Sequence, residues 1–224
     1  MRARLGPMTL LITAFGDFDG GWNASDRLLT HLEADRARLE QAWGAPVAFT
    51  RLAVDTEGIG HELDRALDAI RPTHLLLMGQ ATARDALALE RVARNARDLR
   101  APDACGRMGA LGPVEPDGPL LRRATWPGLG ALGAALSAAG LPAETSDDAG
   151  GHLCNQALYL ALGRPAAPLA AFLHLPLMRE QVAAGLPCAR RRPGAAGMPV
   201  TEMARAVGLI LRHTRAMPST GAIA

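Results

Sequence analysis

Apolar residues fall in short blocks separated by polar or glycine-rich breaks, and the blocks switch between the spacing of strands and that of helices. Thr9 to Phe15 is a continuous apolar run of strand length ending in the turn-rich stretch Gly16-Asp-Phe-Asp-Gly-Gly21. It predicts a buried first strand feeding a loop. Ser25 stands where a helix cap belongs, ahead of Leu28, Leu29, Leu32 and Leu39, with the helix ending before Gly44. Pro46 to Val54 is rich in strand formers, and Ile59, Leu63, Leu67 and Ile70 then recur at helical spacing with Pro72 just beyond. Thr73 to Met78 is a second buried strand-sized run that stops at a glycine. Strand and helix alternating in this order predict crossover connections. The expected fold is therefore α/β, one domain over 1–224, with a mostly parallel twisted sheet and helices on both faces.

The middle of the chain is less regular. Glu90 to Asn95 has strand character, and Pro102 to Pro119 reads as one long loop, a length that in a compact domain is usually functional or flexible. Leu129, Leu132 and Leu136 mark a helix stopping at Gly140, and Pro142 to Thr145 a short strand. Cys154 to Leu162 reads as helix, Leu169 to His174 as a buried strand ended by Pro176, and a closing helix from about Thr201 buries Met203, Val207, Ile210 and Leu211. Met217 to Ala224 is expected to be a loose tail.

Composition narrows the function. The chain is 49% hydrophobic with a formal charge of +2, and every basic residue among the 24 is arginine. Mixed charges give no global field toward nucleic acid. Arg190, Arg191 and Arg192 form a short run without interleaved aromatics, so no nucleic-acid partner is expected. No segment is long and apolar enough to span a bilayer, and the N-terminus lacks the features of a secretion signal. Cys105, Cys154 and Cys188 lie far apart, offering neither a disulfide framework nor zinc-type spacing. A cytoplasmic protein without metal or organic cofactor is expected.

Chemistry concentrates at the predicted strand ends, where open parallel sheets place their ligand crevice. The first strand ends at Phe15, the third at Gly79-Gln80 and the late strand at His174. Cys154 opens a helix, where backbone N–H groups and the helix dipole favour a thiolate and can hold an oxyanion. A histidine on a neighbouring strand can take the thiol proton, and a carboxylate can hold the imidazole. On the residues alone the reading stays open: a lone cysteine is most often a small core residue, His174 a hydrogen-bonded core histidine and Glu90 half of a surface pair.

Three motifs change that weighting. The chain reads Gly79-Gln80, then Glu90-Arg-Val-Ala93, Asn95 and Arg100-Ala-Pro-Asp103; then Ala149-Gly-Gly-His-Leu-Cys154-Asn155; then Ala171-Phe-Leu-His174-Leu-Pro176 followed by Glu180-Gln181. In this order, from about Leu10 to about Gln181, they resemble the pyroglutamyl peptidase I family of cysteine peptidases. The resemblance implies Cys154 as nucleophile, His174 as base and Glu90 as the acid that orients it. It implies Arg100 near the developing oxyanion, where a structural salt bridge is an equally open role. It further implies a pyrrolidone pocket involving Phe15, Phe18, Gln80, His152 and Leu153, and a substrate peptide with N-terminal pyroglutamate. Homo-oligomerisation is left open.

Departures from the family pattern cluster around the pocket. Asp17 and Asp19 stand in the first loop where the family has proline and glycine, and that loop is one residue shorter before Asn23. Ala83 replaces the glycine ahead of Arg84, Ala104 follows Pro102-Asp103 where the family has asparagine, and His152 takes a commonly aromatic position. Two alternatives therefore stand beside the peptidase reading: an amidase of the same scaffold with changed lactam or acyl specificity, and a catalytically silent binding homologue.

Overall fold

The apolar run at Leu10–Phe15 forms β1, every residue of it buried. The computed structural model describes residues 8–18, 20–99, 102–107 and 111–217. After β1 come α1 (Ala24–Ala34), α2 (Arg36–Trp43), β2 (Val47–Leu52), α3 (Ile59–Ile70) and β3 (His74–Gln80). Five short strands follow: β4 (Leu87–Glu90), β5 (Val92–Arg94), β6 (Arg97–Asp98), β7 (Leu111–Gly112) and β8 (Leu121–Arg123). The remainder is α4 (Leu129–Ala138), β9 (Ala143–Ser146), α5 (Leu153–Gly163), β10 (Leu169–Leu175), α6 (Arg179–Ala183), α7 (Pro187–Arg190) and α8 (Val200–Ala216).

Six strands make the main sheet in the order β2-β1-β3-β10-β4-β9. All its pairings are parallel except β10 with β4. Alternation along each strand sends side chains to opposite faces. Leu10, Ile12 and Ala14 of β1, with Ala171, Leu173 and Leu175 of β10, join a core with leucines of α1 and α4 and with Met203, Val207, Ile210 and Leu211 of α8. Leu11, Phe15, Ala170 and Phe172 face the other way, onto Ile59, Leu63 and Leu67 of α3 and onto Leu153, Ala157 and Leu158 of α5. Helices on both faces are therefore what the apolar pattern demands.

Some expectations needed revision. The first long helix is two, parted at Asp35, and α2 closes on Gly44 in the left-handed conformation that favours glycine. The cap of α1 is Asn23, whose Oδ1 accepts from the Ser25 N–H at 2.9 Å; Ser25 instead turns its hydroxyl to the Phe15 backbone. The Glu90–Asn95 stretch divides at Arg91, because β4 joins the main sheet while β5 pairs antiparallel with β8. The long middle loop carries β7, which pairs with β6. Residues 218–224 of the expected tail lie outside the described residues, as does Asp19.

Candidate active site

Strand parity brings the chemistry to one face. On β10, His174 shares its face with Ala170 and Phe172, and on β4, Glu90 shares its face with Ala88; both therefore point toward α5. In register, His174 stands beside Gly79 of β3 and beside Ala88, with Glu90 one diagonal step away opposite Phe172. The Cys154 sulfur comes down on the same spot from above. A Cβ placed on Gly79 would lie 2.9 Å from that sulfur and 2.7 Å from the Phe172 ring. Only glycine leaves room for the sulfur here. Gly79→Ala should therefore push the sulfur off its seat, costing about 1–3 kcal/mol of stability and most of the activity. Thermal unfolding and turnover of the same sample check both.

α5 presents the sulfur. His152 is its cap residue, so Cys154 lies in the first turn, where backbone N–H groups have no partner within the helix. The approach, Asp148 to Gly151, is a tight loop: Gly150 has φ +80°, and its N–H donates to Asp148 Oδ1 at 2.9 Å. A Cβ on Gly151 would strike the Asp98 backbone at 3.1 Å, and the Asp98 N–H donates to the Gly151 carbonyl at 2.8 Å. Asn155, fully buried, accepts from Arg94 N–H at 2.8 Å and donates to the carbonyls of Arg94 and Ala96. The asparagine after the cysteine thus clamps α5 to the strand region that follows Glu90.

Glu90 is fully buried, and its Oε1 accepts from His174 Nδ1 at 2.7 Å, which leaves Nε2 as the ring's other nitrogen. Burial opposes a charge on His174, but the charge and hydrogen bond of Cys154, followed by the hydrogen bond and charge of Glu90, prevail and push its pKa up to about 9. The arrangement can hold a proton on the imidazole with an anion on either side. A second cation completes it. Arg84 Nη2 lies 3.1 Å from the same Glu90 oxygen, while Oε2 has no hydrogen-bond partner among the described residues.

In front of the sulfur opens a cavity of about 520 Å³, lined by Phe15, Phe18, Gln80, His152, Leu153 and Cys154 among others. All five residues expected to bind the substrate thus reach one space. Phe18 packs on His152 with ring centroids 5.3 Å apart, and Phe15 on Phe172 at 6.4 Å. Gln80 has commitments of its own: Oε1 accepts from Ala24 N–H and from Gln181 Nε2, which also donates to the Trp22 carbonyl. The pair ties the first loop to the end of β3, which makes Gln181 a support of the pocket. Asn23, Val54, Arg94, Asp98 and Asp148 also line the cavity; they lie in breaks and short strands that carry no periodic signal.

Arg100 lies outside the described residues. Asp103 anchors the loop beyond it: burial works to raise its pKa, but bonds from the Thr56 hydroxyl and N–H and from the N–H groups of Arg107 and Cys105 hold it well below the usual carboxylate range. The Thr56 carbonyl accepts from Gln156 of α5, so this anchor is joined to the helix that carries Cys154. Cys105 is exposed and Cys188 is buried away from this site, leaving Cys154 as the thiol facing the cavity.

A family model described as pyroglutamyl peptidase matches residues 8–211. The chain belongs to the pyroglutamyl peptidase family. Among its relatives, pyrrolidone-carboxylate peptidase of Chromobacterium violaceum is 36% identical over 206 residues, 90% of each chain. That of Gloeobacter violaceus is 33% identical over 93% of this chain and 97% of its own. The crystal structure of pyrrolidone carboxyl peptidase from Thermus thermophilus aligns with a TM-score of 0.79 at 35% identity, covering 91% of this chain and 99% of that one. Against the pyroglutamyl peptidase pattern, the His152 departure has a visible consequence: its ring takes the place of an aromatic against Phe18.

Proposed function

We propose that the protein hydrolyses the amide bond after an N-terminal pyroglutamyl residue, with Cys154 as nucleophile, His174 as base and then acid, and Glu90 as the orienting carboxylate. The observation that carries this reading is the Cys154 sulfur seated over Gly79 beside the buried His174–Glu90 pair, facing the cavity between Phe15 and Phe18. Aromatic faces suit a flat, uncharged lactam. Against those two aromatic faces a free N-terminal ammonium would have to give up part of its hydration, and is disfavoured.

The steps follow from positions. His174 takes the Cys154 proton, and the thiolate attacks the pyroglutamyl carbonyl. The oxyanion forms at the start of α5, where the Cys154 N–H can hold it; a preorganised donor of this kind is worth roughly 10²–10³ in rate. The imidazolium then protonates the departing amine, and water, deprotonated by His174, releases pyroglutamate. Side-by-side assay of pyroglutamyl and prolyl fluorogenic amides tests the reading: cleavage of the first and not the second is expected, and the reverse preference would sink it. One observation favours a second reading, an amidase of the same fold for a more polar ring, namely the imidazole of His152 standing against Phe18; a hydroxylated lactam amide in the same assay separates the two.

The pH dependence has a definite sign. His174 binds its proton more tightly than a free imidazole, so the imidazolium persists through neutral pH and is lost as pH rises through about 9. The alkaline limb of kcat/KM is expected near that value, with activity falling above it. A limb between 6 and 7, the range of an unperturbed imidazole, would show that the pair does not act as described.

No described helix is long and apolar enough to cross a membrane. A reducing cytoplasm suits an enzyme with three free thiols, one of them the nucleophile.

A further inference from the structure

Arg84 sits in the turn after β3, closed by its own N–H to the Ala81 carbonyl, and its guanidinium reaches behind the acid. Nη2 lies 3.1 Å from Glu90 Oε1, 2.9 Å from Ser146 Oγ and 2.9 Å from the Asp148 carbonyl, while Nη1 donates to Glu144 Oε1 at 2.6 Å. Two features set it apart from the many surface arginine pairs. It is largely enclosed, with 23% of the side chain exposed, and its carboxylate partner is fully buried. It also shares with His174 a single oxygen of Glu90, so the imidazole and the guanidinium meet on one atom. The Asp148 carbonyl that it holds begins the loop leading into Cys154.

We infer that Arg84 is a positioning residue that sets the pH range over which the enzyme works, balancing the buried charge of Glu90 at the oxygen that orients His174 and tying that oxygen to the backbone entering the nucleophile's helix. The inference rests on the Cys154–His174–Glu90 reading. Its physical content is a sign: a fixed positive charge beside these groups favours the deprotonated form of each, so its removal raises every pKa near it. The ionisable groups facing the cluster are Glu90 on β4, Glu144 on β9, His174 on β10 and Cys154 on α5. On the outer side of Arg84, Asp85, Arg179 and Glu202 share a surface cleft with it, and Asp85 is paired with Arg192. Asp148 pairs through its carboxylate with Arg94, so only its carbonyl is turned to Arg84.

The test is the pH profile of kcat/KM on a pyroglutamyl fluorogenic amide for wild type, Arg84→Gln, Arg84→Lys and Cys154→Ala. Arg84→Gln is expected to move both limbs to higher pH by about one unit, a roughly tenfold loss at fixed pH on the acid side, while Arg84→Lys keeps both near their wild-type positions. A residue that merely braces the turn would lower the rate in both variants and leave the limbs in place, and that result overturns the inference. So does an alkaline limb moving to lower pH, the sign expected when His174 loses Glu90. If Arg84→Gln does not fold, Glu144→Gln decides: freeing the guanidinium of its outer anion should move the limbs to lower pH by a few tenths of a unit, and unmoved limbs count against the inference. An active Cys154→Ala would sink the underlying reading; unmoved limbs beside an inactive Cys154→Ala sink only the role given to Arg84.

Discussion

Cys154→Ala is expected to lower release of pyroglutamate by roughly 10⁴-fold or more, since removal of a nucleophile takes the covalent route away entirely, while the protein stays folded. The second half of that expectation comes from the site. The sulfur occupies a gap over Gly79 and faces the cavity, and the helix that carries it is held by Leu153, Ala157, Leu158 and the Asn155 clamp. Loss of one partly exposed sulfur takes little from that packing. With the thiolate gone, one of the groups that raise His174 is gone too, so the imidazole of this variant should bind its proton less tightly. A titration of His174 by NMR beside the turnover assay reads both effects. Turnover near the wild-type level would dismiss the nucleophile assignment.

Glu90→Gln is expected to cost roughly 10³–10⁴-fold in kcat, by analogy with the loss seen when a triad carboxylate is replaced by its amide. The physical reason lies in the one 2.7 Å contact. A carboxylate can only accept, so it fixes the proton on Nδ1 and leaves Nε2 to work on the sulfur. An amide offers its NH₂ equally well, which permits the opposite tautomer and removes the negative charge. Both the hydrogen bond and the charge of Glu90 raise His174, so the alkaline limb in this variant must move to lower pH. A shift to higher pH, or an unchanged kcat, would mean that Glu90 supports the fold without directing the imidazole. Arg84 would meanwhile keep its bonds to Glu144, Ser146 and Asp148, which limits the damage to the turn.

Much of this was readable along the chain because buried strands write themselves as apolar runs. Leu10 to Phe15, His74 to Met78 and Leu169 to His174 lie where their composition put them, and period-two alternation then fixes the face that His174 shares with Phe172. The helix read from Cys154 begins one residue earlier, at Leu153, just after the glycines that break the chain before it. Harder to read was the reversed direction of β4. A run of only four residues carries no mark of polarity, and its orientation is settled by pairing with β10, far away in sequence. Arg84 was invisible for a different reason. A long side chain in a turn can reach in many directions, and only the assembled sheet brings Glu90, Ser146 and Asp148 within its span. Asn23 displaced Ser25 as the helix cap because the serine hydroxyl had a better use against the Phe15 backbone, a competition that local preference cannot see.

The reversed strand also leaves the sheet unevenly stitched. Seven residues of β10 are zipped to β3, but only Phe172 to His174 are joined to β4. That seam runs between His174 and Glu90. Were it to breathe, Glu90 would part from His174, while the imidazole kept its place on the strand zipped to β3, over whose Gly79 the sulfur sits. Warmth would then dull the enzyme before it unravels it, and Arg84, whose turn is bonded to the end of β10 through Ala81 and whose guanidinium holds Glu90, is the rivet that delays this.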